Sequence, residues 1–389
     1  MTTHKGCNSG HWLSRREVLR GGLAAAAVGA VNSKEHGFAE ISLQGTGSQE
    51  LRAAGAQSVD IHAHYFPEAY LNLFNEDGKR FNAESHITPQ GFYYKVPAMI
   101  GVTSLGSATA PLPRSFIDLK QRIADMDQQG VGLQALSLTA PMVYWGDAEL
   151  DHKLARAWND AASAAHQAYP TRFVGLLTLP MLYPDRALEE LNRAGKLPGI
   201  RGVYMGTNIN NHDLDDPLFD PIWTRIEELD LPVFLHPIQT VGGERLRPFL
   251  LENLLGNPFD TTIAACHLIF GGVLDRHPKL QVSLPHGGGA LPILIGRIDH
   301  GWKVRPEAKH LPNAPSTYLP RFTYDTIVHS KQVMEFIIRE VGADRIMIGS
   351  DYCYSMGYER PLGFLEQLDL TNTQRTMILG GTAAKLLKL

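Results

Sequence analysis

From residue 59 onward, short apolar or β-branched runs alternate with longer stretches whose apolar positions recur every three to four residues. The short runs read as strands: Val59–His64, Leu133–Thr139, Phe173–Leu179, Ile200–Met205, Val233–His236, Gln281–His286, Phe322–Thr326 and Ile346–Ser350. The stretches Asp151–Tyr169, Asp185–Ala194, Pro221–Leu229, Asp260–Arg276 and Lys331–Val341 have helical periodicity. Strands alternating with helices imply a parallel sheet with crossover connections. Strands that are apolar almost throughout are buried on both faces. The pattern therefore predicts an α/β fold, a (β/α)8 TIM-type barrel, as a single domain over residues 41–389. A doubly wound open sheet is the alternative, weakened because no Gly-rich dinucleotide or phosphate-loop fingerprint follows the first strand.

Two segments depart from this rhythm. The connection after the first strand, from about Tyr65 to Pro113, is a long insertion carrying Phe92-Tyr93-Tyr94 and a small-residue stretch around 101–110. A connection of that length reads as a lid or as disorder. Residues 1–40 contain Ser14-Arg15-Arg16-Glu17-Val18-Leu19-Arg20 followed by an apolar run from Gly21 to Val31. Paired arginines before a short hydrophobic run resemble a twin-arginine export signal, with cleavage after Ala30 or Ala39. The run is too short to cross roughly 30 Å of hydrocarbon, so no stable membrane anchor is expected. This segment implies a folded precursor and a periplasmic or secreted protein.

Composition narrows the picture modestly. The chain has 389 residues, 44% hydrophobic and 20% charged, which is enough for a full-sized core. A net charge of −4 gives no reason to expect nucleic acid as a partner. Three cysteines are too few for a disulfide framework, and Cys266 and Cys353 pair only if the fold brings them together.

The chemistry sits where the predicted strands end. Asp60-Ile61-His62-Ala63-His64 closes the first strand, and the period of two puts His62 and His64 on one face. His236-Pro237 closes the fifth, His286-Gly287-Gly288-Gly289 the sixth, and Ser350-Asp351-Tyr352 the eighth. Taken singly, each has an ordinary reading as a packed histidine, a helix N-cap or a tight turn. Together they deliver imidazoles and a carboxylate to the C-terminal face, where barrel enzymes place their chemistry. Such a donor set suits one divalent metal, most simply Zn2+, with Mn2+ the alternative.

These motifs, with Gly271-Gly272-Val273 through His277-Pro278-Lys279-Leu280 and His286 through Gly296-Arg297, resemble the amidohydrolase-2 branch of the amidohydrolase superfamily. Within it they are most similar to the aminocarboxymuconate-semialdehyde decarboxylases, from about Val59 to Leu387. The resemblance implies that His62, His64, His236 and Asp351 hold the metal. It makes His286 the general base toward metal-activated water, and Asp351 and His286 the catalytic pair. Arg297 matches an arginine that reaches a neighbouring subunit's site and binds substrate carboxylate, implying a homodimer. Two-metal members of the superfamily carry a lysine on the fourth strand; Ile200–Met205 has none, which favours a single metal. The chain departs from related decarboxylases at Ile238-Gln239 and at Cys353-Tyr354-Ser355-Met356. For a second carboxylate-binding arginine of the family Arg114 is a candidate, with a surface role as its alternative. The implied activity is non-oxidative decarboxylation of a small aromatic or dienoic carboxylic acid. A hydrolase of a lactone, ester or amide, or a hydratase of the same branch, is the alternative. The remaining histidines, among them His152, His166, His267, His277 and His329, read as packing or surface residues.

Overall fold

The computed structural model describes residues 57–97 and 104–389. The export-signal reading falls on residues 1–40 and lies outside them. Among the described residues, no helix is long and apolar enough to cross a membrane.

Eight strands form one sheet in chain order, all neighbours parallel: β1 Val59–His64, β2 Leu133–Ser137, β3 Phe173–Leu177, β4 Ile200–Gly206, β5 Val233–His236, β6 Val282–Leu284, β7 Phe322–Asp325 and β8 Ile346–Met347. The chain just after β8 returns to β1 through parallel bridges Asp60↔Ile348 and Ala63↔Tyr352, closing the ring. The Ile61 N–H donates to the Ile348 carbonyl (2.9 Å) and the His64 N–H to the Tyr352 carbonyl (2.7 Å). Closure decides between the two expected architectures in favour of the barrel, because an open sheet leaves both outer strands unpaired. Several strands stop one or more residues before their expected ends, since the polar residues beyond them turn into loops.

Helices α1 Leu119–Gln129, α2 Ala148–Ala168, α3 Pro184–Ala194, α4 Asp220–Glu228, α5 Asn257–Phe270, α6 Leu291–Val304 and α7 Lys331–Val341 alternate with the strands. Their starts follow from side chains that accept orphan N–H groups: Asp118 for α1, Asp147 for α2 and Ser330 for α7. The expected helix Asp260–Arg276 is two elements, α5 and a short turn Val273–Arg276. Gly271 ends the first, and Gly272 at φ 70 breaks the helical path.

The insertion after β1 is neither a bare lid nor a structureless loop. It carries a helix, Glu68–Asn75, and antiparallel strands Glu84–Thr88, Gly91–Lys95, Ser104–Leu105 and Leu112–Pro113; residues 98–103 lie outside the description. Phe66, Tyr70, Phe74, Phe92, Tyr94 and Phe116 are all buried together. Rings this large each bury enough apolar area to hold a segment down. The Tyr94 and Tyr70 hydroxyls donate to the carbonyls of Ala140 and Met142, each at 2.5 Å, and so fasten the insertion to the loop after β2. Cys266 and Cys353 are both free.

Candidate metal centre and active site

The ends of β1 and β5 and the residues after β8 bring His62, His64, His236 and Asp351 together. One ligand atom from each lies within 4.8 Å of all the others, and all four residues are buried. Among the described residues this is the one group of three or more His, Cys, Asp or Glu arranged to hold a metal ion.

Each imidazole has one nitrogen engaged away from the centre. His62 Nδ1 donates to Asp325 Oδ2 at 2.9 Å, and its Nε2 is buried with no hydrogen-bond partner. His236 Nδ1 donates to the Pro237 carbonyl at 2.8 Å. His64 Nδ1 lies 3.2 Å from Ser137 Oγ, while its Nε2 is 3.0 Å from Asp351 Oδ1. These outer partners fix ring orientation and tautomer, leaving the other lone pair inward, as metal-binding histidines require. An inward imidazole nitrogen that is buried and unpartnered is costly unless a cation fills the space before it. The donor set therefore fits a divalent metal.

The electrostatics agree. Burial works against a charged His62, yet the hydrogen bond to Asp325 and the charges of Asp351, Asp325 and Asp60 outweigh it and raise its pKa. Burial also opposes ionisation of Asp351, but His64, His62 and His286 reverse that and hold the carboxyl below its ordinary range. Asp325 behaves alike, with His62 and the Gly287 N–H on the favourable side. Two carboxylates ionised in a buried pocket make a strong local field for a cation. Burial pushes His64 down to about 4 and His236 well below 6.5, so both are neutral donors at pH 7.

His286 stands beside this cluster, its ring centroid 5.6 Å from that of His62 and 5.8 Å from that of His236. It is not the last residue of a strand, as expected, but sits in a tight turn after β6 at φ 54. Burial lowers its pKa, and its Nδ1 has no hydrogen-bond partner. A neutral imidazole with a free nitrogen can accept a proton. The three glycines after it all take positive φ; a Cβ on Gly289 would lie 2.0 Å from the Pro258 carbonyl oxygen. The protein's own packing thus accounts for glycine there.

His286 and Asp351 line a cavity of about 240 Å³ that opens to solvent, together with Asn253, Leu254, Asn257, Gly289, Val328 and His329 among others. Arg297 is not in that lining. It is exposed on α6, with no hydrogen bond or ion pair among the described residues. Arg114 is elsewhere too, bonded to the Thr88 carbonyl (3.3 Å) and paired with Asp118 (3.7 Å), so it ties the insertion to α1. The second carboxylate arginine therefore has no occupant at Arg114.

Several further residues matter to the site. Asp325 orients His62, and it ends β7 just as the ligands end their strands, so the same rule reaches it. Arg122 on α1 is fully buried; it donates to the His64 carbonyl and, at 3.1 Å, to Gln134 Oε1. Gln134 in turn donates to Asp60 Oδ2 at 3.1 Å. Asp60 accepts from the Ser350 hydroxyl (2.5 Å) and the Ser350 N–H (3.0 Å), pinning β1 to the chain after β8; burial raises its pKa to about 6. Tyr204 of β4 is buried against His64 (6.2 Å between centroids) where a second metal's lysine would otherwise be sought.

Comparison with known proteins bears on these observations. The amidohydrolase family profile matches residues 59–389. A 2-amino-3-carboxymuconate-6-semialdehyde decarboxylase of Dictyostelium discoideum is 32% identical over 338 residues, covering 85% of this chain and 91% of its own. The crystal structure of 5-carboxyvanillate decarboxylase from Sphingomonas paucimobilis aligns with a TM-score of 0.72 at 26% identity, over 86% of this chain and 99% of that one. A dihydroxybenzoic acid decarboxylase from a Polaromonas species, solved with bound manganese and the inhibitor 2-nitroresorcinol, aligns with a TM-score of 0.67 at 25% identity, over 86% and 97%. The resemblance drawn from the strand-end motifs is thereby confirmed.

Proposed function

Starting from the amidohydrolase family, to which this chain belongs over residues 59–389, we propose that it is a metal-dependent, non-oxidative decarboxylase of a small aromatic or dienoic carboxylic acid. The observation that carries this reading is the oriented His62–His64–His236–Asp351 cluster with the free His286 imidazole beside it. It stands in a chain whose relatives over most of their length are named decarboxylases.

Those four residues would hold a divalent metal, which when bound would supply Lewis acidity toward the substrate. Zinc suits three imidazoles and a carboxylate; manganese is the metal of the Polaromonas relative. The chain's own residues do the rest. Asp325, the Pro237 carbonyl and Ser137 hold the imidazoles in register before substrate enters. Neutral His286 takes a proton from water, leaving hydroxide, and delivers it to the carbon that bears the departing carboxylate. The carbon–carbon bond then breaks, carbon dioxide leaves, and the electron pair of that bond restores the conjugated system that the proton had made electron-poor.

A second copy of the chain completes the site in this proposal. The outer face of α6 presents Ile293 (62% exposed), Arg297 and Val304 (56% exposed). Gly296 and Gly301 have open space where a Cβ would be. That face suits close approach by another protomer, with the planar guanidinium of Arg297 reaching a carboxylate across the interface. The arginine pair Arg15-Arg16 supports export of the folded precursor to the periplasm.

The test is carbon dioxide release by metal-loaded protein from a panel of aromatic and muconate-type acids, with His236→Ala as control. Release that disappears in the control is the expected result. A metal-replete wild type that releases none, but cleaves lactones or esters, overturns the reading.

A further inference from the structure

We propose that His329, at the rim of the cavity, is a specificity-determining residue that meets a second anionic group on the substrate, distal to the carboxylate at the metal end. The inference rests on the decarboxylase reading only in which carboxylate is lost; the recognition itself follows from the cavity.

The cavity has unlike ends. Its inner end is bounded by Asp351 and His286, its walls include Leu254, Ile327, Val328 and Val333, and His329 also lines it. A flat, unsaturated carbon skeleton fits apolar walls, with one polar group at each end. Among the described residues, no lysine or arginine lines this cavity. Its side-chain hydrogen-bond donors are Asn253, Asn257, His286 and His329. Of these, His286 lies at the metal end, beside His62 and His236. His329 is exposed, so its imidazole N–H is offered to whatever enters from solvent.

The rim is also built to hold that ring still. His329 lies four residues beyond Asp325, on the connection that leaves β7, so the group that orients His62 and the rim imidazole share one short segment. Its backbone N–H donates to the Tyr358 hydroxyl at 2.8 Å. Its ring packs on Tyr358 with centroids 4.6 Å apart, and Tyr358 stacks on Phe364 at 4.9 Å. The backbone takes φ 52, a left-handed conformation that a non-glycine residue adopts at some cost and keeps only where its surroundings enforce it. Both ring nitrogens are without a hydrogen bond among the described residues. A side chain placed this firmly, with its polar atoms unspent, is poised for a ligand.

The experiment measures the affinity of metal-loaded, full-length protein for isophthalate and for benzoate by titration calorimetry. His329→Leu removes the donor; His329→Gln keeps an N–H of similar reach; Arg297→Ala removes the rival cation. Wild type is expected to prefer isophthalate by about tenfold, the worth of one charge-assisted hydrogen bond. His329→Leu should erase that preference and leave benzoate unchanged, and His329→Gln should restore part of it. Bound metal and near-ultraviolet circular dichroism confirm that each variant is folded. A preference absent from wild type, intact in His329→Leu, or lost only in Arg297→Ala overturns the assignment. Carbon dioxide release, followed in parallel, separates the two ideas. No release with the preference intact removes the decarboxylase reading and leaves His329 standing; release without the preference does the reverse.

Discussion

At the inner end of the cavity, His62, His64 and His236 each have one ring nitrogen committed to the protein, through Asp325, Ser137 and the Pro237 carbonyl. At the outer end the opposite holds. His329 lines it in an exposed position, and on the surface beyond the lining Phe249 (87% exposed), Leu250, Ile293 and Arg297 lie open to solvent. The inner end satisfies its own polar groups and aims the remainder at one point. The outer end leaves apolar area and charge for something else to cover. A site that performs chemistry needs both: donors fixed before substrate arrives, and a mouth that substrate can enter and complete.

The largest expected effect comes from breaking the inner end at its outer partner rather than at a ligand. Asp325→Ala leaves His62 in place but frees its ring and removes a carboxylate from the field around the cation. Removing such a partner typically costs about 10- to 100-fold in metal affinity, measurable by chelator competition. Asp325→Asn keeps an acceptor without the charge and should fall between. Wild-type affinity in both variants would mean that β1 and β5 position the rings unaided, and the contrast between the two ends would fail.

At the outer end a charge on α6 is the matching test. Ile293→Glu should dissociate the proposed homodimer, seen as a halved mass in sedimentation, while metal content stays unchanged. Arg297→Ala should leave both dimer and metal intact and raise KM for a carboxylate substrate by about tenfold, as expected for loss of one charged hydrogen bond. A protein that is monomeric before any substitution would show that α6 faces water, and would return Arg297 to an ordinary surface residue.

How legible these two ends were in the sequence differs for a physical reason. Alternation and strand-end position are local, so the eight strands, the four clustered donors and His286 were all readable from patterns a few residues long. Asp325 obeyed the same rule, but its Thr-Tyr-Asp context lacks a neighbouring imidazole to draw the eye. Arg122 was not readable, because its burial depends on a carbonyl and an amide that β1 and β2 bring to it. The insertion misled for the opposite reason. Its strands are short and its length resembles a lid, whereas its buried aromatics, far apart along the chain, pack on one another and are tied down to the loop after β2. His329 read as a surface residue, and it is one; that it lines the cavity with His286 appears only when the loops after β6 and β7 are side by side.

The smallest expected effect lies where the two ends meet, at Asp260 on α5, the helix whose first turn supplies Asn257 and Pro258 to the cavity wall. Asp260 accepts from the Thr207 hydroxyl and from Asn208 Nδ2 (3.2 Å), joining α5 to the chain after β4. Burial pushes its carboxyl up to about 6, against the pull of those two hydrogen bonds. The folded chain therefore holds a proton that the unfolded chain, with an ordinary carboxyl near 3.8, has released. Stability from this group is complete below pH 3.8 and lost as the pH rises through 6. Asp260→Asn removes the ionisation and keeps an acceptor for both donors. It should raise stability at pH 8 by on the order of 1 kcal/mol, about 2 °C in Tm, after allowance for weaker hydrogen bonds. At pH 4.5 the gain should shrink toward zero. Thermal unfolding of both proteins at the two pH values decides the matter. A loss of stability at pH 8 would mean that Thr207 and Asn208 hold the carboxylate as firmly as Asp325 is held, and that the preorganised region extends from the metal centre into the cavity wall.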